Sequence, residues 1–229
     1  IAPTFQHIHL NIDPDNPTYS GKTNIDITVK TPTKKVGFYQ QDLTVTSARL
    51  VSGSSSFPLN VTIGEYDINW GESQDEIAPG KYTLEITFEG KVNTSSDGMY
   101  LSRFEETNYI FTQFEDMHAR KAFPSFDEPN FKIPYQMTIS SPEHQEIVGN
   151  TPVEKVTVEN GIKTVVFEKT KPMPTYLIAY TVGPFDSAEI SGLSVPGKIY
   201  VPKGYADKTK FVIKHIPEIL ASLEDFFGI

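Results

Sequence analysis

Apolar and polar residues alternate with a period of two along most of this chain. In the segment 5–12, Ile8, Leu10 and Ile12 fall on one side of an extended backbone. Such alternation is typical of a strand with one buried face. The same pattern predicts further strands at 25–29, 43–51, 82–88, 109–114, 135–140, 153–159, 164–167, 176–182 and 198–201.

Turn-forming residues separate these short strands. Residues 13–17 read Asp-Pro-Asp-Asn-Pro, and a glycine-serine run follows the strand that ends near residue 51. Asn160-Gly161 lies between two predicted strands, where this pair is a strong indication of a two-residue hairpin. Many short strands joined by turns predict an all-β fold of antiparallel sheets, similar to a β-sandwich.

The last part of the chain has a different period. Residues 206–227 contain no glycine and a single proline, Pro217. Apolar residues recur there at spacings of three and four, as on one face of a helix: Val212, Ile216, Leu220, Leu223 and Phe227. We expect a helix that Pro217 kinks or divides. The predicted organisation is a β-rich domain over residues 1–203 and, over residues 204–229, a helix that begins another domain.

Composition narrows the classes of function. The chain has 229 residues, with 20 Lys and Arg against 29 Asp and Glu, a net charge of −9. This balance argues against nucleic acid or an anionic membrane as a partner, because both bind clusters of basic residues. No apolar run reaches the roughly 20 residues of a membrane helix. The absence of cysteine excludes disulfides and thiolate metal sites and leaves the compartment open: cytoplasmic, periplasmic or secreted.

Candidate chemistry is densest between Gly98 and Pro129. If residues 109–115 form a strand, Tyr109, Phe111, Gln113 and Glu115 point to one side. Two polar groups beside aromatic rings could form the wall of a ligand site. A strand with a wet outer face explains the same spacing, and the spacing by itself favours that interpretation.

The amino-acid sequence of this stretch closely resembles that of the aminopeptidase N family of zinc peptidases. The resemblance is carried by Thr112-Gln113-Phe114-Glu115, by Ala119-Arg120, and by Phe123-Pro124-Ser125-Phe126-Asp127-Glu128-Pro129. It extends over nearly the whole chain through Gly98-Met99-Tyr100, the opening segment 8–15, Gly21, Asp42-Leu43, Gly149-Asn150-Thr151-Pro152-Val153 and Tyr180-Thr181-Val182-Gly183.

The resemblance implies an all-β amino-terminal domain that packs on a helical catalytic domain. In the family, that second domain carries a His-Glu-x-x-His motif and a distal Glu as zinc ligands, and a Gly-x-Met-Glu-Asn segment that binds the substrate's amino end. None of these motifs is present in this chain. We therefore expect the helix at residues 204–229 to begin the catalytic domain, and we expect no catalytic residue, metal or cofactor within these 229 residues. His7 and His9 share a strand face and could bind a metal, but a satisfied or exposed pair is the favoured interpretation.

Two residues match family positions that contact substrate. Glu115 corresponds to the carboxylate that receives the α-ammonium group of the peptide, and Gln113 to a residue that lines the first specificity pocket. Arg120 and Asp127 are interpreted as a structural pair that holds the turn before Pro129, with solvated charges as the alternative. Ser125 stands where the family usually has Cys, a change expected to affect packing.

These observations predict the amino-terminal domain of a zinc-dependent aminopeptidase that acts on peptides and is inactive as a fragment. Its expected partners are peptide substrates and its own catalytic domain. Two alternatives stay open. One is a non-catalytic β-sandwich binding module with a contact patch of tyrosines and the single Trp70. The other is a family member whose active site has decayed and which serves as a scaffold.

Overall fold

The computed structural model describes all residues, Ile1–Ile229, and confirms an all-β fold with one carboxy-terminal helix. Contacts between residues group Ile1–Gly183 as one unit and Pro184–Ile229 as a second. The domain boundary expected between residues 203 and 204 stays a prediction. The strands of the first unit are β1 (Ala2–Asn11), β2 (Thr18–Val29), β3 (Thr33–Tyr39), β4 (Thr44–Ser52), β5 (Ser55–Pro58), β6 (Asn60–Ile63), β7 (Ile68–Ile77), β8 (Gly80–Lys91), β9 (Gly98–Phe104), β10 (Thr107–Gln113), β11 (Tyr135–Pro142), β12 (Glu146–Gly149), β13 (Val153–Glu159), β14 (Ile162–Phe167) and β15 (Tyr180–Gly183).

Three sheets build the first unit. The largest has eight strands in the order β13-β14-β11-β1-β2-β8-β4-β5. All of its neighbouring strands are antiparallel except β1 and β11, which run parallel with Ile8 opposite Met137. A four-stranded sheet has the order β12-β15-β10-β9, and a three-stranded sheet the order β3-β7-β6.

Each small sheet covers part of the large one, so the unit has two apolar cores. Ile8 and Leu10 of β1 pack in one core with Ile110 of β10 and Val182 of β15. In the other core, residues of β2, β8 and β4 pack with residues of β3 and β7. The predicted sandwich-like arrangement is therefore confirmed, with two smaller sheets in place of a single second layer.

Two strand predictions are corrected. The segment 176–182 begins with a 3-10 turn, Thr175–Leu177, and only Tyr180–Gly183 is extended. Thr175 donates its hydroxyl hydrogen bond to the Asp127 carboxylate, which holds this turn in place. The strand expected at 109–114 ends at Gln113, because the backbone N–H of His118 donates to the Phe114 carbonyl at 2.8 Å and closes a turn there.

The Asn160-Gly161 hairpin is confirmed. Both residues have positive φ, 51° and 78°, and they join β13 to β14 with Glu159 opposite Ile162. These dihedral angles match the two-residue turn that suits the twist of an antiparallel pair.

The second unit contains β16 (Phe185–Ile190), β17 (Gly197–Pro202) and α1 (Lys210–Phe227). The two strands form an antiparallel pair, and a 3-10 turn at Ala206–Thr209 precedes the helix. The helix runs through Pro217 without ending, so the expected division at that residue is wrong. Gly228 stops it with φ 69°, and its N–H donates to the Glu224 carbonyl. No residue of α1 is buried, and Phe211, Leu223 and Phe226 are among its exposed apolar side chains.

The helices of this structure include none with the length and apolar character required to cross a membrane.

Candidate functional site

The hairpin of β9 and β10 carries the first predicted site residue. Gln113 lies at the end of β10, opposite Gly98 at the start of β9. Two residues back along β10, and therefore on the same face, Phe111 lies opposite Tyr100 with the ring centroids 6.2 Å apart. Gly98 has φ 65°, and a Cβ on it would lie 3.1 Å from the Cβ of Lys121, so glycine allows the strand to begin here. Gln113 thus lies on the same face of the hairpin as the paired rings of Phe111 and Tyr100.

Phe114 fixes the segment between the two predicted site residues. Its side chain is buried and makes edge-to-face contacts with Phe123 and Tyr180, with centroids 5.6 Å and 6.0 Å away. Such aromatic contacts add to the stabilisation from burial. Because neighbouring residues of an extended segment point to opposite sides, Gln113 and Glu115 face away from the core, and both are exposed.

Glu115 lies just beyond the strand. The expected face of four residues from Tyr109 to Glu115 is therefore corrected: Tyr109 is buried, and β10 ends at Gln113. The peptide bond between Glu115 and Asp116 is cis. Neither the Gln113 amide nor the Glu115 carboxylate makes a hydrogen bond or an ion pair within the chain, so both groups are available to a ligand.

A buried ion pair holds the loop that follows. Arg120 Nε donates to Asp127 Oδ2 at 2.9 Å, Arg120 Nη2 donates to the Asp127 carbonyl at 2.8 Å, and the Arg120 N–H donates to Asp127 Oδ2 at 3.2 Å. Arg120 is 6% exposed and Asp127 2% exposed. The guanidinium also lies 4.2 Å from the ring centroid of Tyr39. The predicted structural pairing of Arg120 with Asp127 is confirmed.

Tyr39 extends this network to Glu128. The Tyr39 hydroxyl donates to Glu128 Oε1 at 2.8 Å, and burial, together with this bond, raises the pKa of the phenol. The backbones of Tyr39 and Ser125 exchange hydrogen bonds of 2.8 Å and 3.1 Å. The segment 125–128, which follows Glu115 along the chain, is thus fixed to β3.

Ser125 is fully buried, and its hydroxyl has no partner in the chain. An unpaired buried hydroxyl costs about 1–3 kcal/mol. We expect Ser125→Ala and Ser125→Cys to raise the free energy of unfolding by about 1 kcal/mol, since both remove that hydroxyl. Urea unfolding followed by the fluorescence of Trp70, the single tryptophan, measures this change.

Ser140→Ala is the matched control. Ser140 is also buried, but its hydroxyl hydrogen-bonds to His9 at 3.0 Å and to Thr164 at 2.8 Å. This variant is expected to lose stability because it breaks both bonds. An equal loss in Ser125→Ala would show that the Ser125 hydroxyl is satisfied in solution.

The sequence pattern did not indicate a charged cluster beside Gly98. Lys121 donates to Asp97, and His118 Nδ1 lies 3.6 Å from Asp97 Oδ2. The hydrogen bond from Lys121 holds the pKa of the Asp97 carboxyl below its usual range. Asp97 lies more than 20 positions before His118 and Lys121 in the sequence, so no local motif connects the three residues. They support the turn after Glu115 by tying it to the start of β9.

The structure brings no metal-binding group together. His7 Nε2 hydrogen-bonds to Thr138 at 2.9 Å, and His9 pairs with Ser140 in the same way. Burial lowers the pKa of both imidazoles, and for His7 the neighbouring His9 adds to the effect. The histidines are therefore a satisfied pair, as favoured from the sequence. No group of three or more His, Cys, Asp or Glu side chains could hold a metal ion.

A cavity of about 590 Å³ lies elsewhere in the first unit. Asp13, Tyr19, Asp42 and Lys91 contribute to its lining, and neither Gln113 nor Glu115 does. The predicted site residues lie instead on an exposed surface of the first unit, where a second protein surface would be needed to enclose a ligand.

Comparison with protein families gives a match over most of the chain. A model described as the peptidase M1 N-terminal domain matches residues 2–177, which includes Gln113, Glu115 and the Arg120–Asp127 pair.

Individual relatives agree with this match. Aminopeptidase N of Acetobacter pasteurianus is 29% identical over 238 residues, covering 100% of this chain and 66% of the relative. Aminopeptidase M1-C of Oryza sativa subsp. japonica is 32% identical over 234 residues, with 99% of this chain and 26% of the relative covered. Glutamyl aminopeptidase of Sus scrofa is 31% identical over 240 residues, with coverage of 97% and 25%. The chain thus spans about a quarter of the length of the plant and mammalian relatives.

Proposed function

Because this chain belongs to the peptidase M1 N-terminal domain family, we propose that it serves a zinc-dependent aminopeptidase, an enzyme that removes residues from the amino ends of peptides. The relatives named above are aminopeptidases that extend beyond the aligned region. In this proposal, the β-rich domain presents substrate-binding groups to a catalytic domain.

The observation that best supports this proposal is the exposed and unpaired carboxylate of Glu115. It follows Phe114, whose burial gives the segment a fixed support, and it has no partner within the chain. An α-ammonium group would donate a charge-assisted hydrogen bond to this carboxylate. A peptide unit inside a chain has no such group, so the interaction would select the first residue for removal.

Gln113 supplies a neutral polar group beside the aromatic pair of Tyr100 and Phe111. A side chain at the first position of the substrate could contact both the aromatic rings and the amide. We propose that this face forms part of the first specificity pocket. Gln113 would then influence which amino acid is removed, and Glu115 would bind the amine common to all substrates.

The residues of this chain do not fit the zinc ion that the family implies. Its five histidines do not form the His-Glu-x-x-His motif, and no cluster of donors is available. The zinc ligands of the proposed enzyme would therefore belong to the catalytic domain, which is the partner expected for this surface. The role of these residues is to bind and orient the amino end.

A direct test compares this chain with the full-length enzyme. We expect the 229-residue chain to hydrolyse no aminoacyl-arylamide and to retain no stoichiometric zinc after dialysis, because it lacks the ligand set. Metal analysis and an arylamide assay measure both properties. One tightly bound zinc per chain together with turnover would contradict the proposal.

The full-length protein provides the positive control. It is expected to cleave a peptide with a free amino end and to leave the N-acetylated peptide intact, because acetylation removes the ammonium group that Glu115 would bind. A full-length protein that binds peptides but cleaves none would indicate the scaffold function instead.

A further inference from the structure

Strand β13 leaves one side of its backbone unpaired. It is the outermost strand of the eight-stranded sheet and pairs only with β14. Glu159 and Ile162 flank the two-residue turn, so Glu159 hydrogen-bonds towards β14. Because hydrogen-bonding directions alternate along a strand, the N–H and C=O groups of Val158 and Val156 point away from the sheet.

The same two residues expose apolar side chains. Val156 and Val158 are each 52% exposed, and they lie on one face of the strand because they are two residues apart. The ladder with β14 is regular from Lys155 to Glu159, and its one irregularity lies before Lys155. This edge therefore offers a regular stretch of five residues, in which Val156 and Val158 combine open hydrogen-bonding groups with exposed apolar side chains.

We propose that two copies of this chain associate through β13, with the two strands antiparallel and Thr157 at the twofold axis. In this register, Val156 of one copy lies opposite Val158 of the other. Their outward N–H and C=O groups meet and exchange hydrogen bonds on both sides of the axis. The two eight-stranded sheets become one continuous sheet.

Charge complementarity selects this register. Lys155 of each copy lies opposite Glu159 of the other, so the symmetry creates two cross-strand pairs of opposite charge. If the pairing is centred on Val156 instead, Lys155 faces Thr157 and Val158 faces Glu154. A different register, in which one strand slides by a single residue relative to the other, places the outward-pointing groups of one copy opposite inward-pointing groups of the other. The hydrogen bonds are then lost.

The lysine on this edge strand, Lys155, restricts which strands can pair with β13. A lysine on an edge strand discourages pairing with a strand that offers no opposite charge. Here Glu159 supplies that charge only when the second strand is another β13 in antiparallel orientation. The edge thereby favours a second copy of this chain.

Charge reversal tests the register. Lys155→Glu places two pairs of acidic residues across the interface, and Glu159→Lys places two pairs of basic residues there. Each variant is expected to weaken dimerisation of the chain about tenfold, measured by sedimentation equilibrium. An equimolar mixture of the two variants, and the double variant Lys155→Glu/Glu159→Lys, are both expected to restore it, since opposite charges then face each other again.

Lys171→Glu is the control for net charge, because Lys171 is exposed, lies outside β13 and makes no ion pair within the chain. It should dimerise like the unmodified chain. Single variants that match this control, or a mixture that associates no better than its components, would overturn the proposal.

A cysteine at the axis gives an independent measurement. The chain has no cysteine, so Thr157→Cys introduces a single thiol per copy. In the proposed dimer the two thiols lie opposite each other in a non-hydrogen-bonded pair. The Cα separation of about 4.5 Å in such a pair allows a disulfide. Mild oxidation should give covalent dimer at least tenfold faster than for Lys171→Cys. Equal rates for the two variants would contradict pairing at Thr157.

Discussion

Replacing Arg120 by alanine should lower the free energy of unfolding by about 3–5 kcal/mol, one of the largest effects available in this chain. The substitution leaves the Asp127 carboxylate buried without the guanidinium that satisfies it. It also removes the stacking contact with Tyr39. Loss of one partner of a buried pair costs more than the pair contributes, because the remaining charge has lost its hydration without compensation.

Urea unfolding monitored through Trp70 measures the loss, and Arg49→Ala is the matched control. Arg49 also donates two hydrogen bonds to an acidic residue, from Nη2 and Nε to Glu85 Oε2 at 2.8 Å and 3.0 Å, but its side chain is 54% exposed. An exposed pair contributes about 1 kcal/mol or less, so the control should lose little stability. Similar losses in the two variants would show that burial does not govern the contribution of the Arg120 pair.

The double variant Arg120→Ala/Asp127→Ala separates the unpaired charge from lost packing. Removing both charges leaves no buried ion, so the double variant should be more stable than the sum of the two single losses predicts. Additive losses would mean that the two side chains contribute through packing alone. This distinction matters for the site, because the pair fixes the loop that follows Glu115 along the chain.

Strands with strict alternation could be predicted from the sequence, and those that bury polar or small residues could not. β8 contributes Leu84, Ile86 and Phe88 to the cores in the expected alternation. β7 lacks this apolar alternation because two of its inward-facing positions are Asn69 and Gly71. Asn69 is buried and hydrogen-bonds to Gln40. A Cβ on Gly71 would lie 2.9 Å from Leu59, so the position requires glycine. Tertiary partners that lie far away in sequence determine such positions, so local periodicity does not reveal them.

Local sequence periodicity was equally insufficient to predict the candidate site. Local alternation extended the strand from Tyr109 to Glu115, but the turn closed by His118 ends it at Gln113. What the two polar residues share is exposure on either side of the buried Phe114, which depends on Phe123 and Tyr180. The family resemblance, and not the alternation, pointed to Gln113 and Glu115, and their role in substrate binding stays a prediction. The contribution of Asp97, Lys121 and His118 required the structure.

The role of Glu115 gives the second large effect. In the full-length enzyme, Glu115→Gln keeps the size and shape of the side chain and removes its charge. A hydrogen bond to a charged group contributes about 1.5–3 kcal/mol, so kcat/KM should fall about ten- to a hundredfold. Stability should hardly change, since the side chain is exposed and has no partner within the chain.

Gln113→Ala is the contrasting variant on the same surface. It removes a neutral group beside Phe111 and should change the relative kcat/KM values for different first residues while retaining cleavage. If Glu115 only faces solvent on a wet surface, Glu115→Gln will leave kcat/KM and inhibitor affinity unchanged. Steady-state kinetics on a series of aminoacyl-arylamides, with a melting curve for each variant, separates these outcomes. Because the charge of Glu115 would bind the amine common to every substrate, its loss should affect all members of the series, whereas the effect of Gln113 should depend on the side chain removed.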